Sequence, residues 1–212
     1  MSQLSGDVPS AHLAALMLLS GPGFPFVYYG EEIGMQGRKP DELIRTPMQW
    51  SADAPAGGFS TTTPWEALAD DWATTNVTAE TGDASSLLST YRDGIALRLA
   101  HPALAIGATV PVDGGATPVI GWLRIADETL LTVVNVGMTP VTDYGLKLAA
   151  GPLCAVTGGT VLWSIGDPAS PAITTPAITP AGGLAGYQPL PMLPPRSGYV
   201  IRLEGEIGRA HV

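Results

Sequence analysis

Pro22-Gly23-Phe24-Pro25-Phe26-Val27-Tyr28-Tyr29-Gly30-Glu31-Glu32-Ile33-Gly34-Met35 is the stretch whose reading decides the fold. An apolar run over residues 24–28 leads into Tyr29-Gly30 and then two carboxylates. A short apolar run without alternation, bounded by Gly and Pro, predicts a strand buried on both faces, the kind found in parallel sheets covered by helices. Upstream, residues 9–20 carry Leu13, Leu16, Met17 and Leu18 at helical spacing, and Gly21-Pro22-Gly23 breaks the pattern. Helix, tight turn and buried strand make half of a βαβ unit. Strands to flank it are not found elsewhere in the sequence.

Downstream, residues 36–83 show little periodicity and many Gly, Pro, Thr and Asp residues. A loop this long is functional or disordered. Trp50, Trp65 and Trp72, three of the five tryptophans, fall in it and argue against disorder. A helix is predicted over residues 84–100, with Leu88, Tyr91, Ile95 and Leu99 on one face and Arg92 and Arg98 off it. Asp83 is the expected N-cap, and Pro102 ends the helix. Beyond Leu104 the period becomes two. Residues 119–124, 130–136, 144–148, 160–164 and 199–203 read as antiparallel strands separated by turns, which predicts a β-sandwich.

These motifs resemble the α-amylase superfamily of glycoside hydrolases. Residues 22–35 look like its last barrel strand. Arg45-Thr46-Pro47-Met48-Gln49-Trp50, then Ala56-Gly57-Gly58-Phe59-Ser60 and Pro64-Trp65, look like the loop that follows in oligosaccharide-cleaving members. Residues 86–104 resemble the closing barrel helix, and residues 130–137 a core strand of the C-terminal β-domain. The resemblance implies an α/β plus all-β chain: the last helix–strand–helix of a (β/α)8 TIM barrel over residues 1–103, then a C-terminal antiparallel β-sandwich over residues 104–205.

In that family the active site sits on loops at the C-terminal ends of the barrel strands. Its nucleophilic aspartate, acid/base glutamate and third aspartate lie in motifs upstream of this strand, the third in an Asn-His-Asp motif. No Asn-His-Asp occurs here. The resemblance therefore implies a C-terminal portion of a retaining α-glucan or α-glucoside hydrolase or transglycosylase, inactive alone. No residue of this chain is assigned to catalysis, a metal or a cofactor. The partner of the intact parent would be an α-glucan or α-glucoside. The hexapeptide also occurs in enzymes that isomerise maltose to trehalose, so hydrolase and transferase both stay open.

Glu31 and Glu32 are adjacent, and alternation in a strand would send them to opposite sides, so they cannot flank one glycosidic bond. Their expected role is to orient loop residues. Arg45 and Trp50 are the candidate substrate-binding residues. A guanidinium offers a rigid donor fork, and an indole a flat apolar face for a pyranose. The alternative is that Pro47, Met48 and Trp50 pack the loop onto the barrel. Trp65 reads as a packing anchor. His101, beside Pro102, suits the negative end of a helix dipole. His12 and His211 complete no metal cluster.

A net charge of −9 over 212 residues argues against nucleic acid, which requires a basic patch. Cys154 stands alone and permits no internal disulfide. Residues 13–30 carry no charge, but Gly21-Pro22-Gly23 and Pro25 interrupt them, which favours the strand over a membrane span. Asp7 and the lack of basic residues before Pro9 disfavour a signal peptide. Residues 206–212 fit neither strand nor cap. A codon string encoding them matches a common sequencing-library adapter apart from its first base, so a tail of adapter origin is expected. The rival to a glycosidase portion is a free-standing β-sandwich that binds glucan or caps a partner, for which Trp122 and Trp163 are the available platform.

Overall fold

The computed structural model describes residues 4, 6–115, 118–167 and 172–207, the last two by backbone alone. The chain divides into two compact units, one of residues 1–15 with 25–93 and one of residues 16–24 with 94–212. The helices are α1 (Val8–Ser20), α2 (Val77–Glu80), α3 (Leu87–Ala100) and α4 (Pro102–Ile106). The strands are β1 (Ala108–Val112), β2 (Val119–Ile125), β3 (Thr129–Asn135), β4 (Leu146–Leu148), β5 (Leu153–Ile165), β6 (Leu184–Tyr187) and β7 (Ser197–Ile207). Two 3-10 turns, Glu31–Ile33 and Asp41–Ile44, interrupt the long segment between α1 and α2.

Residues 24–28 form no ladder, which corrects the buried strand predicted there. Phe24 is 91% exposed and Phe26 86%. The reason lies outside the segment: such a strand is buried by flanking strands and covering helices, and among the described residues no strand pairs with it. Local hydropathy records what a segment can bury, not whether neighbours arrive.

In the first unit Ile33, Met48 and Leu88 form the core, with Met35 and Val77 packed against it. The Nδ1 of His12 on α1 lies 2.7 Å from the Thr90 hydroxyl on α3. At the start of α3 the Ser86 hydroxyl accepts from the Ser89 amide at 3.1 Å, and the Glu80 carboxylate accepts from the Leu88 amide at 3.0 Å. Ser86 is therefore the N-cap, not Asp83, whose carboxylate serves the preceding turn through the Ser85 amide.

The contact face of α3 also differs from the predicted stripe. Leu88 and Tyr91 are buried, whereas Ile95 and Leu99 are exposed. The stripe turns instead through Gly94, where an added Cβ would sit 2.5 Å from Trp163 and 2.6 Å from Leu19. One turn on, Arg98 donates to the carbonyls of Leu19 at 2.8 Å, Gly21 at 3.1 Å and Gly23 at 2.6 Å. It thereby satisfies backbone acceptors that the end of α1 leaves open. A hydrophobicity pattern places neither a glycine nor an arginine on a packing face, and here both occupy it.

The second unit carries a five-stranded antiparallel sheet ordered β1-β2-β3-β7-β5 and a two-stranded antiparallel pair, β4-β6. Leu123, Leu131, Val133, Tyr199 and Ile201 of the large sheet share one apolar core with Leu146, Leu184 and Tyr187 of the small one. β3 is buried along its whole length, as a strand with a neighbour on each side should be. Strands β1 and β6 escape sequence reading because Pro111 and Gly186 interrupt their patterns. β5 extends well upstream of the predicted residues 160–164, through Gly158 and Gly159, with three register shifts against β7. β7 runs past Leu203, so Glu206 and Ile207 pair with Ala155 and Leu153. That corrects the reading of both as unpaired tail; residues 208–212 lie outside the described residues.

Arg124 is buried in β2 and donates to the carbonyls of Ala103 at 3.1 Å and Leu104 at 2.9 Å, and to the Thr109 hydroxyl. It ties α4 to the sheet. His101 directly follows the last residue of α3, the helix end expected for it, and pairs through Nδ1 with Glu128 at 2.8 Å. Both tryptophans available to a free-standing sugar platform are engaged within the unit. The Trp122 indole donates to the Ser20 carbonyl at 3.2 Å, and Trp163 lies against Gly94.

Two outcomes follow from these contacts. Arg124→Met removes a guanidinium that donates to two backbone carbonyls and a hydroxyl, and should destabilise the second unit by about 2–4 kcal/mol in urea unfolding followed by tryptophan emission. A change under about 0.5 kcal/mol would remove Arg124 from that role. Burial lowers the pKa of His12 below its ordinary 6.5. The unfolded chain then binds the proton first, so stability is full above pH 6.5 and falls as the pH drops below it. In thermal melts His12→Asn should flatten the slope below pH 6.5, and an unchanged slope would assign it to other groups.

Candidate functional site

Gly30 and Gly34 bracket the turn Glu31–Ile33 at φ 84° and 70°, left-handed conformations that glycine adopts without strain. A Cβ at Gly30 would also meet Met35 Sδ at 2.4 Å. Ile33 enters the core of the first unit. Successive residues in a 3-10 turn are rotated by roughly 120°, so the two glutamates leave the backbone in different directions. Glu31 accepts from the Tyr91 hydroxyl at 3.0 Å. Burial, then the Glu31 charge, pushes the Tyr91 pKa far up, so Tyr91 keeps its proton as the donor. Glu32 turns to the wall of a cleft. Divergence therefore arises from a 3-10 turn, not from strand alternation.

The cleft, of about 520 Å³, is lined by Tyr29, Glu32, Thr46, Met48, Phe59 and Glu66 together with Arg45, Trp50 and Trp65. The structure thus brings both predicted binding residues, Arg45 and Trp50, into one cavity. The backbone around Trp50 is clamped from two sides. Its amide and that of Ser51 donate to the Gly57 carbonyl at 2.9 Å, while the Val77 and Thr78 amides donate to Gln49 and Trp50 at 3.0 Å. Asn76 caps α2 by accepting from the Ala79 amide at 2.8 Å, which holds the inner clamp. The long segment is ordered by these bonds, with Met48 and Gln49 buried and Trp50 49% exposed.

Trp65 is 86% exposed at the cleft, which corrects its reading as a packing anchor. Arg45 is largely exposed, 3.6 Å from Asp41. Tyr29 donates to the Thr46 carbonyl at 3.0 Å. Its phenol pKa is raised by burial and by Tyr28, against an opposing effect of Arg45. Thr46 is buried at 4% exposure, and its hydroxyl and Glu32 Oε2 have no hydrogen-bond partner.

Flat aromatic faces beside a guanidinium fork and carboxylate acceptors suit an uncharged ring bearing several hydroxyls. Sequence reasoning did not assign Tyr29, Glu32, Thr46 or Phe59 to binding. Phe59 and Trp65 stood in the quoted motifs. Thr46 and Glu32 stood in them too, Glu32 with an expected role in orienting loop residues rather than in binding. A second cavity of about 440 Å³ adjoins through Thr46 and is lined by Arg38, Glu66, Asp70 and Asp71. Among the described residues no group of His, Cys, Asp or Glu side chains could hold a metal. No described helix is long and apolar enough to cross a membrane.

The sequence model of the alpha-amylase catalytic domain matches residues 1–107. The chain is 34% identical over 153 residues to the trehalose synthase/amylase TreS of Mycobacterium tuberculosis, covering 65% of this chain and 25% of that protein. It is 34% identical over 159 residues to the alpha-amylase SusG of Bacteroides thetaiotaomicron, covering 67% and 22%. Among solved structures, the alpha-amylase from H. orenii aligns with a TM-score of 0.68 at 33% identity, covering 96% of this chain and 37% of that one. The trehalulose synthase MutB from Pseudomonas mesoacidophila aligns with a TM-score of 0.68 at 24% identity, covering 92% and 38%, a likeness of fold alone. The fold and these matches define a glycoside hydrolase chain. It belongs to the alpha-amylase family, and spans about a quarter of the length of the curated relatives it matches.

The Tyr91–Glu31 bond gives a direct test of how the turn is held. Tyr91→Phe removes one charge-assisted bond and should cost about 1.5–3 kcal/mol of the first unit's stability. Denaturant unfolding checks this, and a neutral substitution would show that the glycines alone hold the turn.

Proposed function

We propose that this chain is the C-terminal portion of a retaining α-glucan or α-glucoside hydrolase or transglycosylase. Residues 1–103 would form the end of its TIM-barrel catalytic domain, residues 104–205 an antiparallel β-sandwich, and residues 206–212 a tail of adapter origin. Arg45 and Trp50 bind the sugar in this reading, Arg45 through its donor fork and Trp50 through its ring face. The observation that carries it is their meeting in one cleft with Trp65, Phe59 and Glu32.

Bond cleavage belongs to residues that this sequence does not contain. A retaining enzyme uses two carboxylates about 5–5.5 Å apart on one glycosidic bond. Glu31 is engaged by Tyr91 while Glu32 faces the cleft, so they do not form such a pair. In the parent, an aspartate would attack the anomeric carbon as a glutamate protonates the leaving oxygen. Water or a second sugar would then release the glycosyl group, and that choice separates hydrolase from transglycosylase.

The purified chain should not turn over a nitrophenyl α-glucoside, and measurable turnover would overturn the assignment of cleavage to other residues. In calorimetric titration with maltose the chain should bind weakly. Arg45→Ala or Trp50→Ala should weaken binding by roughly tenfold, as expected for one charge-assisted bond or one ring face. Unchanged affinity in both variants would remove them from the sugar site.

A further inference from the structure

The outward side of the last two turns of α3 is apolar. Ile95, Ala96, Leu99 and Ala100 are all exposed there, Leu99 at 81%. Steps of about 100° per residue put these four on one side of the helix. The solvent side of a surface helix ordinarily carries charged and polar residues. Arg98, the polar residue of these turns, is engaged instead with the carbonyls of Leu19, Gly21 and Gly23. Phe24, next to the Gly23 that Arg98 holds, is exposed as well.

This surface continues one that is already in use. Leu88 lies two turns before Ile95 on the same side of α3, and packs there with Ile33 and Met48. The first unit has an apolar surface of its own, the exposed and uncharged run Phe26, Val27 and Tyr28, which joins no described ladder. An unpaired apolar segment is a template for strands of another chain. Both surfaces fall within residues 1–107, the part that matches the alpha-amylase catalytic domain. The alpha-amylase from H. orenii aligns with 96% of this chain, yet the chain covers 37% of that protein. In a closed barrel each strand has a neighbour on both sides, and the helices lay an apolar side on the strands.

Resting on the reading of residues 1–103 as the end of a TIM barrel, we propose that these two surfaces dock a separate polypeptide. Its chemistry is that of the upstream strands and helices of an alpha-amylase-family barrel. Ile95 and Leu99 meet apolar side chains of its strands, and residues 26–28 take a strand on each side. A second copy of this chain fits less well, because its own run over residues 26–28 supplies one neighbour and not two. The helix that carries Ile95 and Leu99 is already fixed by Arg98 and by the close approach at Gly94, so little freedom is lost on docking.

The test is co-expression of the full chain with the upstream portion of the alpha-amylase from H. orenii that it does not cover. Sedimentation velocity reads association, and a nitrophenyl α-glucoside reads turnover. A one-to-one complex is expected, with turnover that neither polypeptide shows alone. Leu99→Asp and Phe26→Asp should each weaken association roughly tenfold or more, because docking would bury an unpaired charge. Both side chains are exposed, so the melting temperature of the chain by itself should not move. Met138→Asp, at a residue 73% exposed but outside the matched region, should leave association unchanged. A complex that survives both Leu99→Asp and Phe26→Asp overturns the two surfaces. A homodimer of this chain that excludes the upstream portion overturns the choice of partner. If the two polypeptides stay apart, yet the same portion fused ahead of Met1 gives an active enzyme, docking fails and the barrel-end reading stands. If the fusion is inactive as well, the barrel-end reading fails and docking falls with it.

Discussion

Tyr91 donates its hydroxyl to Glu31 at 3.0 Å, joining α3 to a turn sixty residues earlier in the chain. Much of the first unit depends on that junction. It holds the turn Glu31–Ile33 against the helix, so that Ile33 enters the core with Met48 and Leu88 while Glu32 is left facing the cleft. A carboxylate accepting from a phenol in a desolvated setting is stronger than an ordinary neutral bond, because little water competes for either group. Glu31 is thereby committed to structure. Its neighbour is not, and the difference arises from a rotation of roughly 120° between successive residues of a 3-10 turn.

Helix ends recur as the second organising problem. Their final carbonyls lack a full set of intrahelical donors, and in this chain two arginines add donors there. Arg98 serves residues 19–23 at the end of α1, and Arg124 serves Ala103 and Leu104 in α4. Neither guanidinium has a carboxylate among these partners, so each acts as a fork of donors more than as half of an ion pair. The sheet of the second unit is fixed at the same time, since Arg124 lies in β2 next to the fully buried β3. Trp122 and Trp163 contribute to the same packing, which leaves the aromatic faces of the first unit as the exposed ones that adjoin a cleft.

Much of the architecture was legible along the chain. Residues 9–20 and 84–100 announced their helices by spacing, and the alternation beyond Leu104 marked the strands at 119–124, 130–136 and 199–203. The hexapeptide over residues 45–50 drew attention to Arg45 and Trp50, and the family to which the chain belongs followed from it with residues 22–35. What escaped was whatever depends on a partner distant in sequence. Hydropathy placed residues 24–28 inside a sheet, yet among the described residues no strand pairs with them. Periodicity put Leu99 on the packing face of α3, yet the close approach uses Gly94.

The sequence by itself determined which segments favour helix, strand or turn, because propensity, period and glycine placement act within a few residues. It also determined the family, through motifs of defined composition and order. Only the tertiary structure decided that Glu31 is spent on Tyr91 while Glu32 faces a cavity, that Thr46 is buried without a partner for its hydroxyl, and that Trp65 stands exposed beside Trp50. Each of those outcomes turns on distances between residues tens of positions apart, and such distances are set by packing rather than by local pattern.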